Sequence, residues 1–556
     1  MVATLLAALR AAERESQLAA ASFSDEQAAE GLAAIDELRA YLLPRPASSS
    51  SQAAALLLQL PFEILSVILS MLGTRELARL AASCRFLWSD APTPQPPPVL
   101  LRQVGLVETE LRRRAEVCGL DVGSSLPEGA LSWVPYLLKR DRRNAQMRQA
   151  PLAVGHGHGI FVDTEGRLLT CGIDMDGDAL MGHAEDPDAH SDEPRKIGPP
   201  TLVPSMQDRR IVSVASSSTH CLALSADGEV YSWGNGDYGV LGLDDEVGRA
   251  VPCRIESLSC IERIAVGPND TSAAVDQSGK LFTWGGATYL AEGLVEDEDG
   301  EVGAFVHSNG LGHELDAETV CQLTPKRVAA LSQERVVGVA LGYGFTLAVT
   351  DAGAVISFGR GVSGSLGHGL STSEVLPRRI EALAETGRRF VAVAAGWHHS
   401  LALTEQGHVY GWGYGLANGH GQDQRTPQLV TALAGVRVLL VYAHECSSCA
   451  VTEKGELYTW GRGDYNSFYL GHGVAASQPT PKRVEALNGV KVAAAAICVT
   501  HTLVAGADGV VWGFGLRTAL GLGEADASPG DSEDEDSKDS EYEPTPFPNL
   551  RVRTLP

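Results

Sequence analysis

No stretch of this 556-residue chain approaches the ~20 consecutive apolar residues that cross a bilayer, so no helical span is expected. The amino terminus, MVATLLAALRAAERES, breaks its short apolar run at Arg10, Glu13, Arg14 and Glu15, and a secretory signal is not expected either. Cysteine is sparse. Its ten copies are scattered, which fits reduced thiols in the cytoplasm or nucleus rather than a disulfide scaffold. Positive charge is in deficit: 44 Lys and Arg stand against 69 Asp and Glu, for a net charge of −25. So acidic a chain is a poor partner for a phosphate backbone, and neither nucleic acid nor membrane is expected to bind it. Phosphate-cradling loops, dinucleotide fingerprints and Gly-x-Ser-x-Gly elbows are missing too.

What the chain does have is apolar content (44%) sufficient to fold, and 60 glycines, which ask for many tight turns. Its negative charge is concentrated. Residues 524–543 carry a net −9 and residues 292–301 a net −6, which together make 15 of the 25 negative charges. Both stretches read as solvated loops on a much less charged body.

A repeat fills the last four hundred residues. Glycine, a β-rich run and a second glycine recur seven times: EGRLLTCG (165–172), DGEVYSWG (227–234), SGKLFTWG (278–285), AGAVISFG (352–359), QGHVYGWG (406–413), KGELYTWG (454–461) and DGVVWGFG (508–515). The first glycines are spaced by 62, 51, 74, 54, 48 and 54 residues, a period that marks one supersecondary unit per copy. Eight residues before them stand His158, His220, Thr271, Phe345, His399, Ser447 and His501, most of them opening a short apolar strand. Alternation as in Val230-Tyr231-Ser232-Trp233 gives the next strand its period of two. A glycine-rich turn often ends in Leu-Gly, and a proline (Pro252, Pro325, Pro377, Pro481) is expected to open one more strand. With the apolar runs at Ile211–Ala215 and Val391–Ala395, each repeat offers about four strands. Seven such units hide their edges best by closing into a ring.

These motifs resemble the regulator-of-chromosome-condensation (RCC-type) family, whose signature joins a strand-opening histidine, a glycine turn and a Trp-Gly pair. The resemblance covers roughly 150–556 and implies a seven-bladed β-propeller. Cys171, Phe358 and Phe514 depart from the usual tryptophan, and blade three lacks the histidine. Acidic insertions fall in blades three (292–303) and seven (524–543).

The first third reads as helical. Residues 24–43 open on a capping box and carry Ala28, Leu32, Ile35, Leu38 and Leu42 on one stripe; 44–54 read as a linker. Residues 60–90 read as two helices. Pro61 suits a helix start, Gly73 stops the first helix and Thr74 caps the second. Some thirty residues this apolar cannot bury themselves and need a partner surface, either on the rest of this chain or on another protein. The segment resembles an F-box on Leu60-Pro61, Glu63, Ile64-Leu65, Ile68-Leu69, Leu72, Leu77, Leu80, Cys84-Arg85 and Trp88. By that resemblance Leu60, Pro61, Ile64, Leu65, Ile68, Leu69, Leu77 and Leu80 would face the Skp-type adaptor of a cullin ubiquitin ligase. After the stiff break at 92–98, helices over 99–118 and 131–148 are expected to lead into the ring, the second ending in a solvated basic cluster.

The expected organisation is therefore α + all-β: an extension (1–54), a small helical F-box module (55–92), a connector (93–149) and a seven-bladed β-propeller (150–556). Three constellations imitate chemistry. Cys446-Ser-Ser-Cys449 with His444 looks like half a zinc site without a second half, and both cysteines are expected on one strand as structural thiols. Asp174, Asp176 and Asp178 imitate a calcium loop but lack the distal Glu, and read as a turn. Histidines recurring at one place in four of the repeats (158, 220, 399 and 501) cannot form one catalytic constellation; hydrogen bonding within or between blades is expected of them. No metal and no cofactor is called for.

The function expected is a non-catalytic substrate receptor of an SCF-type ubiquitin ligase, with an unidentified target on the propeller. The alternative is guanine-nucleotide exchange on a Ran-like small GTPase, an activity of the repeat family's founding member. The plant ultraviolet-B photoreceptor's Gly-Trp-x-His motif is present once, at Gly396-Trp397-His398-His399. Serines 528, 532, 537 and 540 lie among acids, a setting for phosphorylation.

Overall fold

The chain divides between residues 146 and 147 into two units. The structure, a computed structural model, describes residues 151–552 apart from 175–179, 184–194, 269, 287–294, 297–301, 304–309, 314–320, 464–467 and 522–539, together with Thr554. The helices expected before residue 150, and with them the eight adaptor-facing side chains, lie outside the described residues.

The repeats fold into seven four-stranded antiparallel sheets. Blade two sets the pattern as a meander of Ile211–Ser216, His220–Ser225, Val230–Gly234 and Arg249–Arg254. The other blades occupy 152–202, 261–327, 336–379, 390–429, 438–483 and 492–551. The first strand of each blade packs on the first strand of the next, and blade seven's on blade one's, so the sheets close a ring. Every residue of a second strand such as His220–Ser225 is buried, because a neighbouring blade covers each face of the sheet. The core is correspondingly divided by seam. One apolar cluster joins Ile160 and Val162 of blade one to Val214, Ala223 and Trp233 of blade two, and another joins Leu503 and Phe547 of blade seven to Phe161 of blade one.

The turn glycines follow from this geometry. Gly228 adopts φ 81°, a left-handed conformation that glycine takes without strain. Gly242, of a Leu-Gly pair, has φ 71°, and a Cβ on it would stand 2.8 Å from the indole Nε1 of Trp284 in the next blade. Leu-Gly thus marks where the following blade's aromatic ring lies down.

Three expectations need correction. The prolines do not open the outer strands: Pro325 is the fourth residue of Gln322–Arg327, and Pro252, Pro377 and Pro481 are placed alike. An outer strand is paired on one side only, and its pairing slips between Thr283 and Gly285, so a residue without an N–H leaves no ladder bond unmade. Cys446 lies in the turn before Ser447–Thr452, and only Cys449 is on the strand. The acidic stretch of blade seven is not all loop, since its last four residues belong to the outer strand Ser540–Arg551; in blade three Val295–Glu296 pairs with Val302–Gly303.

The ring closes with residues from both ends of its sequence. In six blades the carbonyl of the turn glycine accepts a hydrogen bond from the first residue of the next blade's inner strand, as Gly166 does from Ile211 (2.7 Å) and Gly455 from Val492 (2.9 Å). In blade seven the carbonyl of Gly509 accepts instead from Val552 (2.9 Å). Val552 also bridges Asp163 as Ile211 pairs with Ser225, and so takes the place of the first residue of blade one's inner strand.

Candidate functional site

Three of the seven seams are locked by a repeated pair of polar side chains. One carbonyl of the preceding blade accepts both the indole N–H and the hydroxyl of the following blade. Val240 O receives Trp284 Nε1 (2.8 Å) and Ser272 Oγ (3.1 Å); Ser365 O receives Trp412 (2.7 Å) and Ser400 (2.8 Å); Ala417 O receives Trp460 (2.7 Å) and Ser448 (2.9 Å). Where phenylalanine replaces tryptophan, the hydroxyl remains: Thr346 donates to Gly310 O and Thr502 to Tyr469 O.

The strand-opening histidines complete the lock. His220 Nε2 lies 2.8 Å from Ser272 Oγ, and His399 Nε2 2.7 Å from Ser448 Oγ, each across a seam. The hydroxyl proton is already committed to the carbonyl, so Nε2 carries the proton it donates. Burial pushes the imidazoles of His158, His220, His399 and His501 down to about 3, which keeps them neutral and fit for this role. His158, through Ser216, His220 and His399 bridge blades, whereas the Nδ1 of His501 stays within blade seven, 3.0 Å from Thr500 Oγ1.

A second histidine series escaped the sequence reading. His183, His313, His368 and His472 follow the glycine after the third strand and reach back to Thr170 (3.1 Å), Thr283 (2.9 Å), Ser357 (2.9 Å) and Thr459 (3.0 Å) of that strand. The recurring Gly-His dipeptide was the available signal.

With the blades fixed, the meander puts the first-to-second and third-to-fourth turns of every blade on one face. The first-to-second turns link around the ring: Tyr343 N donates to Trp397 O (3.3 Å), Trp397 N to Glu445 O (2.7 Å), and Cys498 Sγ lies 3.5 Å from Gly155 O. This face collects the aromatic and ionisable turn residues. Thr219 donates to the half-buried Asp270 (2.7 Å), whose carboxyl burial holds up. Arg360 Cζ stands 5.6 Å from the ring centre of Tyr343, within cation–π range, and Tyr343 meets the edge of His398 at 5.7 Å. Burial, then Arg360, holds the His398 imidazole low. Val247, Leu370 and Val474, three of the exposed large apolar residues, sit on third-to-fourth turns of the same face. The acidic insertions of blades three and seven leave from third-to-fourth turns as well.

Among the described residues no group of three or more His, Cys, Asp or Glu is arranged to hold a metal ion. Cys449 is buried on its strand with its thiol pushed well up by burial, which makes it inert.

A family model described as the RCC1-like domain matches residues 117–464, and the regulator of chromosome condensation (RCC1) repeat matches 454–505. The chain belongs to the RCC1-like domain family. Neither match reaches residues 60–90. This RCC1-like chain is 36% identical over 368 residues to the human E3 ubiquitin-protein ligase HERC2, covering 65% of itself and 7% of that protein. It is 32% identical over 235 residues to the ultraviolet-B receptor UVR8 of Arabidopsis thaliana, covering 41% of itself and 48% of the receptor. It thus spans a small part of the first relative and about half of the second. Among solved structures, Prp20p of Saccharomyces cerevisiae matches with a TM-score of 0.53 at 22% identity, over 74% of this chain and 89% of Prp20p. That likeness speaks to the fold alone.

Proposed function

We propose that this RCC1-like protein is a non-catalytic substrate receptor of a cullin-type ubiquitin ligase, acting in the cytoplasm or nucleus. Residues 55–92 hold a Skp-type adaptor through Leu60, Pro61, Ile64, Leu65, Ile68, Leu69, Leu77 and Leu80, and the connector 93–149 joins that module to the ring. The ring presents its first-to-second turn face to a target protein. The observation that carries the reading is the gathering of Tyr343, Arg360, Trp397 and His398 on one face of a ring whose recurrent histidines are spent on holding blades together. Aromatic residues and arginine dominate protein-binding hot spots. The F-box resemblance of 60–90 supplies the ligase half, and the likeness to a protein named as an E3 ubiquitin-protein ligase agrees with it.

Adaptor pull-down tests it. Full-length wild type is expected to recover a Skp-type adaptor, and Pro61→Ala with Leu65→Asp to lose it; equal recovery removes the ligase reading. Release of labelled GDP from a Ran-type GTPase by the full chain would instead favour the nucleotide-exchange reading.

A further inference from the structure

Arg360 differs from arginines elsewhere on the ring by what surrounds it. On the opposite face, Arg389 and Arg437 are matched to Glu405 (4.0 Å) and Glu453 (3.7 Å). Arg360 is half-buried, its Nε has no hydrogen-bond partner among the described residues, and no described carboxylate lies within ion-pair distance of it. A guanidinium partly withdrawn from water and left unmatched is costly unless something arrives to pair with it.

Its setting is built rather than accidental. The backbone N–H of Arg360 donates to Gly344 O (2.8 Å) and its carbonyl accepts from Ser365 Oγ (3.1 Å), which fixes the residue beside the turn that carries Tyr343. Tyr343 is gripped between the guanidinium and the edge of His398. Trp397, half-buried, is pinned at both its N–H and its carbonyl by the neighbouring turns. Leu370 (59% exposed) and Val474 (55% exposed) rise on third-to-fourth turns of blades four and six, on either side of blade five, which carries Trp397.

We propose that Arg360, Tyr343, Trp397 and His398 form a reading site for an aspartate or glutamate side chain on an extended segment of a partner protein, with apolar residues flanking that acid. The carboxylate takes the two-pronged bond that the guanidinium offers, Tyr343 keeps the guanidinium plane in place, and Trp397 and Leu370 receive the flanking apolar side chains. This deepens the receptor reading by naming what the ring recognises, and it is independent of adaptor binding through 55–92.

The test offers immobilised full-length protein to a displayed library of random twelve-residue peptides, then measures enriched sequences as synthetic peptides by fluorescence anisotropy. Enriched peptides are expected to contain Asp or Glu beside apolar residues. Changing that acid to Asn or Gln is expected to weaken binding about tenfold, as a lost charged pair does. Arg360→Ala should weaken it equally and make the peptide change silent, while Arg360→Lys falls between because lysine cannot pair bidentately. Melting temperature controls for folding, and Trp397→Ala is the second variant should Arg360→Ala unfold. Retained adaptor recovery by Arg360→Ala would separate this site from the ligase half. Failure of any peptide to be enriched over Arg360→Ala, enrichment of acid-free sequences, or undiminished binding by a folded Arg360→Ala or Trp397→Ala overturns the proposal.

Discussion

The seam between blades five and six and the seam between blades seven and one do the same job with different chemistry. At the first, Trp460, Ser448 and His399 converge through one carbonyl, that of Ala417. At the second, Cys171 stands where tryptophan would be, 3.5 Å from Leu520 O, and Gly159 stands where the hydroxyl would be. His501 lies against the backbone of His158, yet its buried Nε2 makes no hydrogen bond among the described residues. Apolar burial around Phe161, Leu503, Leu520 and Phe547, with Val552 as a strap, holds this seam instead. Non-directional burial suffices to close a ring. Directional bonds flank blade five, which carries Trp397: Ser365 O takes Trp412 and Ser400 on one side without a histidine, and Ala417 O takes the full set on the other.

The contrast can be broken most severely at the strap. Ending the chain at Thr545 removes Phe547, Leu550 and Val552, three buried apolar residues of the closing seam. Each such loss costs roughly 2–5 kcal/mol, so the truncated ring is expected to lose cooperative unfolding in a thermal melt. Acid is the next largest perturbation, and it strikes both kinds of seam. Histidines held at about 3 when folded and near 6.5 when unfolded take up protons preferentially in the unfolded chain. The melting temperature should be level above pH 6.5 and fall as pH drops from 6.5 toward 3, and His399→Asn should flatten that fall.

Smaller effects sharpen the comparison seam by seam. Trp460→Ala is expected to cost about 3–5 kcal/mol in denaturant titration, whereas Cys171→Ala at the closing seam costs about 1 kcal/mol or less. Ser448→Ala removes the group that links His399 to Ala417 O and is expected to cost about 1–3 kcal/mol. The smallest difference compares histidines: His399→Ala should exceed His501→Ala by about 1 kcal/mol, since only His399 gives up a hydrogen bond through Nε2.

The ring was legible because one grammar is written seven times, and a strand-opening histidine such as His220 keeps its register in every copy that has it. The strap was not legible. Only Arg551-Val552 imitates the Lys491-Val492 that starts an inner strand, and two residues are too few to stand out from a tail. Pro325 misled because proline fits a strand's first residue and a slipped edge equally well in sequence. The Arg360 site was hidden for another reason. Its residues come from turns 17 to 54 positions apart, and nothing but the ring brings Tyr343, Arg360 and Trp397 together. The F-box resemblance of 60–90 falls outside the described residues and rests on its residue pattern.

Native-state hydrogen–deuterium exchange on the full-length protein tests the seam account most directly, by comparing inner and second strands of blades seven and one (492–506, 152–162) with those of blades five and six (390–404, 438–452). The account predicts that the closing pair exchanges at least about tenfold faster, as a seam with only weak thiol contacts in place of the Trp–Ser–His set opens more often. Equal protection at the two places, or greater protection at the closing pair, would contradict it.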